Sequence, residues 1–135
     1  MNRRYLTVYA NPVEAYGVVS KATMSGREVE AAALTKAALK LKECQDNWHA
    51  GDRDERLDSA LRFNQRIWSV FQVELTREDN PLPRGLKLDL LRLSTFVDRR
   101  IFEAMSYPSP EKLTAVININ QNIAAGLRGS PDSGQ

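Results

Sequence analysis

Along four long stretches of the chain the apolar positions recur at steps of three and four, the spacing that lines up one buried face of a helix. The first stretch runs from the break at Met24-Ser25-Gly26 to about His49 and puts Leu34, Ala37, Leu41, Cys44 and Trp48 on one line. Its background of Ala, Leu, Lys and Glu favours helix, and Ser25 with Glu28 has the spacing of a reciprocal N-terminal cap. The second stretch, from Asp52 to about Arg77, carries Leu57, Leu61, Asn64, Trp68, Phe71 and Leu75, widened by Ala60, Ile67 and Val70, with Asp52 and Glu55 placed as a second cap. From about Pro83 to Tyr107 a third stripe turns Leu86, Leu90, Leu93, Val97, Ile101 and Met105 inward, with Leu91, Ser94 and Phe96 at its margin. The fourth starts at Ser109 as cap, has Pro110 at the first helical position, and carries Leu113, Val116, Ile117, Asn120, Ile123, Ala124 and Leu127.

Breaks separate these stretches where the chemistry demands them. Gly51 interrupts the first pair. In Glu78-Asp-Asn-Pro-Leu-Pro83 and Tyr107-Pro-Ser-Pro110 each proline pushes its predecessor out of the helical region and has no N–H to give to a preceding turn. Gly129 reads as the last stop. Ahead of the long stretches, Asn11 as cap, Pro12 and Glu14 predict a short amphipathic helix through Ala22, with Ala15, Val18, Val19 and Ala22 on one side. Residues 1–11 form an arm without helical period, 12–128 a single helical domain, and 129–135 a tail of loose composition. No strand alternation and no internal repeat appear, so the expected fold is all-α, a compact bundle of four longer helices plus one short N-terminal helix.

Length and charge narrow the function classes. A chain of 135 residues supports one domain and one modest core. The 19 basic and 17 acidic residues leave a formal charge of +2 and are interspersed, which gives no strong electrostatic footprint for nucleic acid; Arg3-Arg4 and Arg99-Arg100 read as solvated faces or local ion pairs rather than phosphate contacts. One cysteine, Cys44, requires no oxidising compartment, and no apolar run has the length of a signal segment or of a membrane span. The expectation is a cytoplasmic protein without a membrane span. The single histidine, His49, sits near a helix end and has no Glu-x-x-His partner units, so neither a metal site nor a Ser-His-Asp set can be drawn. Phosphate-cradling glycine loops are absent too. No cofactor and no catalytic activity are expected.

Two asparagines, Asn64 and Asn120, occupy tracks that are otherwise apolar. Burying an amide without partners costs roughly 2–7 kcal/mol, so each must find a hydrogen bond if it is inside. One reading makes them polar ties that fix helix register, bonded to each other, to a backbone carbonyl or to water. The other turns one of them toward a partner. Trp48 and Trp68 divide the same way, between core filling and a binding hot spot.

Asn64-x-Arg66-x-Trp68, Leu82-Pro83, the run Leu90 to Arg99, Ile117-x-Ile119-Asn120-x-x-Ile123 and Gly126-Leu127 together resemble the FlaF family of alphaproteobacterial flagellar biosynthesis regulators. Ala15-Tyr16 and Arg27-Glu28-x-Glu30 are similar to that family's opening, so the resemblance covers about residues 12–127; Asn118 stands where the family tends to have Asp. The resemblance implies a non-catalytic, cytoplasmic helical protein that binds flagellin as a secretion chaperone, acts with the FlbT regulator, and couples flagellin synthesis to filament assembly. Flagellin's helical terminal segments are the expected client. The candidate contact residues are Tyr16, Val18 and Val19 on the short helix, followed by Arg27, Glu30, Arg66 and Trp68 from the resemblance. Competing readings are an RNA-binding regulator of flagellin translation and a subunit that acts only by oligomerising.

Overall fold

The computed structural model describes residues 26–133, with side chains described as far as Gly129. Helix α1 spans Gly26–Asp46, α2 Arg53–Thr76 and α3 Arg84–Ser106; a 3-10 turn over Pro110–Leu113 then leads into α4, Thr114–Ser133. No strand occurs among the described residues. The expected short helix at 12–22, the arm at 1–11 and the cap at Ser25 lie outside them.

Short connections make each helix antiparallel to its neighbour in sequence, and cross-links fix the ends. Gln45 Nε2, near the end of α1, donates to the Pro110 carbonyl at 2.9 Å and to Thr114 Oγ1 at 3.0 Å, at the start of α4. Arg128, late in α4, donates to Thr35 early in α1 at 2.9 Å. Helix α1 therefore runs antiparallel to α4 and forms the largest interface of the bundle with it. Buried alanines at 31, 33, 37 and 38 leave little bulk on the inner face of α1 and admit close packing. Helix α1 also packs on α2, and α2 on α3, whereas α3 and α4 touch least of the adjacent pairs.

Leu34, Leu41, Leu61, Val97, Ile101, Leu113 and Val116 are fully buried and come from all four sides of the bundle. These are positions the periodicity placed inward. The stripe of α3 departs from expectation at its start: Leu86 is 45% exposed and Leu90 only half-buried, while Val97 and Ile101 further along the same stripe are sealed. Ser94, expected at the margin, is buried and satisfies its hydroxyl on the Leu91 carbonyl at 2.7 Å.

Helix ends differ in detail from the sequence reading. Helix α1 ends at Asp46, short of His49: the Asn47 amide makes a last helical bond to the Glu43 carbonyl at 3.0 Å, where its Nδ2 also donates at 2.9 Å, and the Ala50 amide then closes a tighter turn on the Asn47 carbonyl at 3.0 Å. Trp48 thus leaves the helical stripe and lies half-buried with the Arg53 guanidinium 4.3 Å from its ring centroid. Asp52 precedes α2 but makes no side-chain cap; at φ −99°, ψ 19° it lacks the extended backbone of a capping residue, and its carboxylate pairs with Arg56 at 3.0 Å instead. Ser109 likewise makes no side-chain cap, and Pro110 opens a 3-10 turn rather than an α-helix. Gly129 does not stop α4, which continues to Ser133. Glycine ends a helix by adopting positive φ, and without that it only weakens one, by about 1 kcal/mol relative to alanine.

Candidate functional site

At the centre of the bundle the two asparagines meet across its diagonal. Asn120 Nδ2 donates to Asn64 Oδ1 at 2.6 Å, and Asn64 Nδ2 donates to the Ala37 carbonyl at 3.1 Å and to the Ala60 carbonyl at 2.9 Å. Trp68 Nε1 donates to Asn120 Oδ1 at 2.9 Å. The chain of donors runs Trp68, Asn120, Asn64, Ala37, and links α1, α2 and α4. Both asparagines are completely buried, so these bonds offset a desolvation cost that would otherwise exclude them from the core. Slipping any of the three helices along its axis breaks a bond in the chain, which makes the network a register lock.

The candidate contact residues are dispersed. Trp68 is 2% exposed, with its polar edge committed to Asn120 and its ring set edge-on to Phe71 at 5.7 Å between centroids. It presents no surface to a partner; the alternation of the stripe had already placed it on the inward track. Arg66, two residues from Asn64, is exposed on the opposite, outward side of α2. Arg27 is exposed and Glu30 half-buried in the first turns of α1. Tyr16, Val18 and Val19 lie outside the described residues.

What the sequence reading did not find is that, among the described residues, apolar positions at one end of the bundle are left exposed or half-buried. The start of α3, the end of α4, the end of α2 and the start of α1 share this end, as the antiparallel order requires. Leu86 and Leu90 of α3 continue the core stripe beyond Leu93, while Ile123 and Leu127 of α4 and Phe71 of α2 are half-buried against the same core. Helices α3 and α4 join through the turn at the opposite end and touch least of the neighbouring pairs. Outward-facing Phe102, 68% exposed, and Tyr107, 77% exposed, stand apart, with Lys112 Nζ 5.6 Å from the Tyr107 ring. Periodicity revealed each stripe; it carries no signal for whether a neighbour covers it.

Polar chemistry is sparse. A shallow cleft of about 350 Å³ between the end of α1 and the start of α2 is lined by Lys40, Glu43, Asp52, Glu55 and Arg56, with Cys44 at its base. Burial pushes the Cys44 thiol above its ordinary range, against a smaller opposing pull from Arg56, which leaves a protonated and weakly nucleophilic sulfur at neutral pH. His49 is exposed in the turn after α1. Among the described residues no group of three or more His, Cys, Asp or Glu could hold a metal ion, and no helix is long and apolar enough to cross a membrane.

Comparison with known proteins places this scaffold. Residues 12–127 match a family model described as flagellar protein FlaF. Neither the curated proteins nor the solved structures yielded a match to the chain.

Proposed function

The chain belongs to the FlaF family of flagellar proteins, and from that premise we propose that it binds flagellin as a secretion chaperone and couples flagellin synthesis to filament assembly. The family match over residues 12–127 carries the proposal. A monomeric flagellin exposes apolar stripes on its amphipathic terminal helices, and a helical protein with apolar positions of its own left uncovered supports a helix-in-groove contact. Burial of apolar area drives such binding at roughly 25 cal/mol per Å², less the ordering cost of the client. Binding of this kind needs no cofactor.

Tyr16, Val18 and Val19 are the first contact candidates, because the amphipathic stretch 12–22 carries few apolar residues to hold it permanently against a bundle. Arg27, Glu30 and Arg66 have enough exposure to reach a client, whereas Trp68 acts from inside by holding α2 in register with α4. The protein works in the cytoplasm with FlbT, through which the link to flagellin translation passes. Direct control through RNA is the competing reading, and a formal charge of +2 gives it little electrostatic support.

Gel filtration of the protein mixed with flagellin, and separately with the 5′ leader RNA of flagellin, at low and high salt separates the two. Co-elution with flagellin that persists at high salt is the expected result. An RNA complex that collapses at high salt, with no flagellin complex, would replace the chaperone reading by the RNA one. Val18→Asp with Val19→Asp should abolish flagellin co-elution at unchanged circular dichroism; undiminished binding removes the first-helix site.

A further inference from the structure

Helix α3 carries a second row of positions besides the one that enters the core. Leu88, Leu91, Thr95 and Phe102 follow one another at steps of three, four and seven, and lie about a third of a turn around the helix from the sealed Val97, Ile101 and Ala104. Leu88, Thr95 and Phe102 are exposed and Leu91 is half-buried. On the side toward α2 the row is bordered by Asp98, whose carboxylate accepts from Gln72 Nε2 at 2.8 Å. Along its outer side stand Arg92 and Arg99, both exposed and one heptad apart. Arg92 reaches Asp89 only at 3.4 Å, with both side chains mostly in water, and among the described residues no carboxylate pairs with Arg99. Apolar residues scattered singly over a surface are ordinary. Here the helical spacing and the cations along one edge set them apart.

We propose that this face of α3 is a docking surface for an acidic amphipathic helix of a partner protein, whose apolar stripe lies along Leu88, Leu91 and Phe102 and whose carboxylates meet Arg92 and Arg99. Length supports it: Leu88 to Phe102 extends about 21 Å, the reach of about four turns of a partner helix. Spacing supports it too, because a helix laid beside another presents apolar residues at the same steps of three and four that the row itself shows. Charge sets the sign of the partner. Two guanidinium groups at the edge of an apolar row gain from carboxylates placed opposite them and are repelled by cations. A second copy of this chain fails that test: paired antiparallel about Thr95, the row sets Arg92 beside Arg99 of the other copy, and paired parallel it sets Arg92 beside Lys87 of the other copy. RNA fits less well, since Phe102 alone offers a ring for base stacking and the leucines offer none. None of the residues proposed to contact flagellin belongs to this row, so the inference does not rest on the chaperone reading.

Titration of a synthetic helical peptide into the isotope-labelled full-length chain tests it by amide chemical shifts. The probe is about four turns long, with Leu at every third or fourth position and Glu on both flanks; one control replaces each Glu by Lys and another scrambles the same composition. With the acidic probe, shifts should concentrate over residues 88–102, and neither control should reproduce them. Leu88→Ser with Phe102→Ser, and separately Arg92→Glu with Arg99→Glu, should each weaken binding about tenfold or more at unchanged circular dichroism. Arg62→Glu, on an exposed face of α2, should leave binding as it was. Equal binding of either control, shifts that fall elsewhere, or no shifts at all overturns the proposal. Equal weakening by Arg62→Glu overturns it as well, by reducing the effect to net charge. Shifts along the row that grow with chain concentration alone would assign the face to a second copy, and a response to flagellin leader RNA with none to the peptide would assign it to nucleic acid; either result replaces the proposal.

Discussion

Deleting one side-chain amide at the centre of this protein strands two others. Asn120→Ala leaves the Trp68 indole N–H and Asn64 Oδ1 without their partner in the buried core, and the expected loss is roughly 2–5 kcal/mol in urea unfolding. The double variant Asn64→Ala, Asn120→Ala should lose less than the sum of the two singles, since the same bond is counted in each. Cys44 gives a second residue-scale expectation. Its thiol has a raised pKa in the folded chain, so the fold favours the protonated form. That contribution is fully present below the unfolded value and is lost as pH rises through the folded one. Stability measured by urea midpoint should therefore fall above pH 9, from the ordinary value of 9.0 upward, and Cys44→Ala should flatten that fall. Read from the sequence, Asn64 and Asn120 stood out as polar residues on apolar tracks; which atom each would bond, 56 residues apart, followed only from the fold.

Helix α3 is sealed at one half and open at the other, and the two halves should behave differently. Ile101→Ala removes methyl groups from a site that is 1% exposed and should cost about 2–5 kcal/mol. Leu86→Ser, at a position already facing water, should cost about 1 kcal/mol or less, and the comparison is made by thermal or urea unfolding of both variants. Amide exchange should likewise be faster over residues 86–93 than over 97–104. The positions on α3 were all legible as one stripe with a period between three and four. Their unequal burial was not, because it depends on which neighbouring helices cover each half, and α3 packs chiefly on α2 and little on α4. Helix ends show the same division. The prolines at 81, 83, 108 and 110 marked real breaks by their own geometry. The cap at Asp52 did not form, since a cap also needs an extended backbone and a free carboxylate, and Arg56 takes that carboxylate; Ser109 has the extended backbone yet makes no side-chain cap.

For the whole molecule, cohesion comes from apolar packing around one internal polar chain, with charge in a minor part. Ion pairs such as Lys42 with Asp46, Arg62 with Asp58 and Arg92 with Asp89 lie on exposed helix faces, where such pairs are worth about 0–1 kcal/mol and are screened by salt. The unfolding midpoint should accordingly change little between low and high sodium chloride, as followed by far-ultraviolet circular dichroism. The sequence by itself determined that this protein is helical, where its long helices lie and which face of each is apolar, because period, propensity and proline breaks are properties of neighbouring residues. Tertiary structure decided that Asn64 and Asn120 share a bond, that the Trp68 indole joins it, and that Leu86 is left exposed. Each of those outcomes turns on which distant segment arrives beside a residue, and on how much water it displaces there.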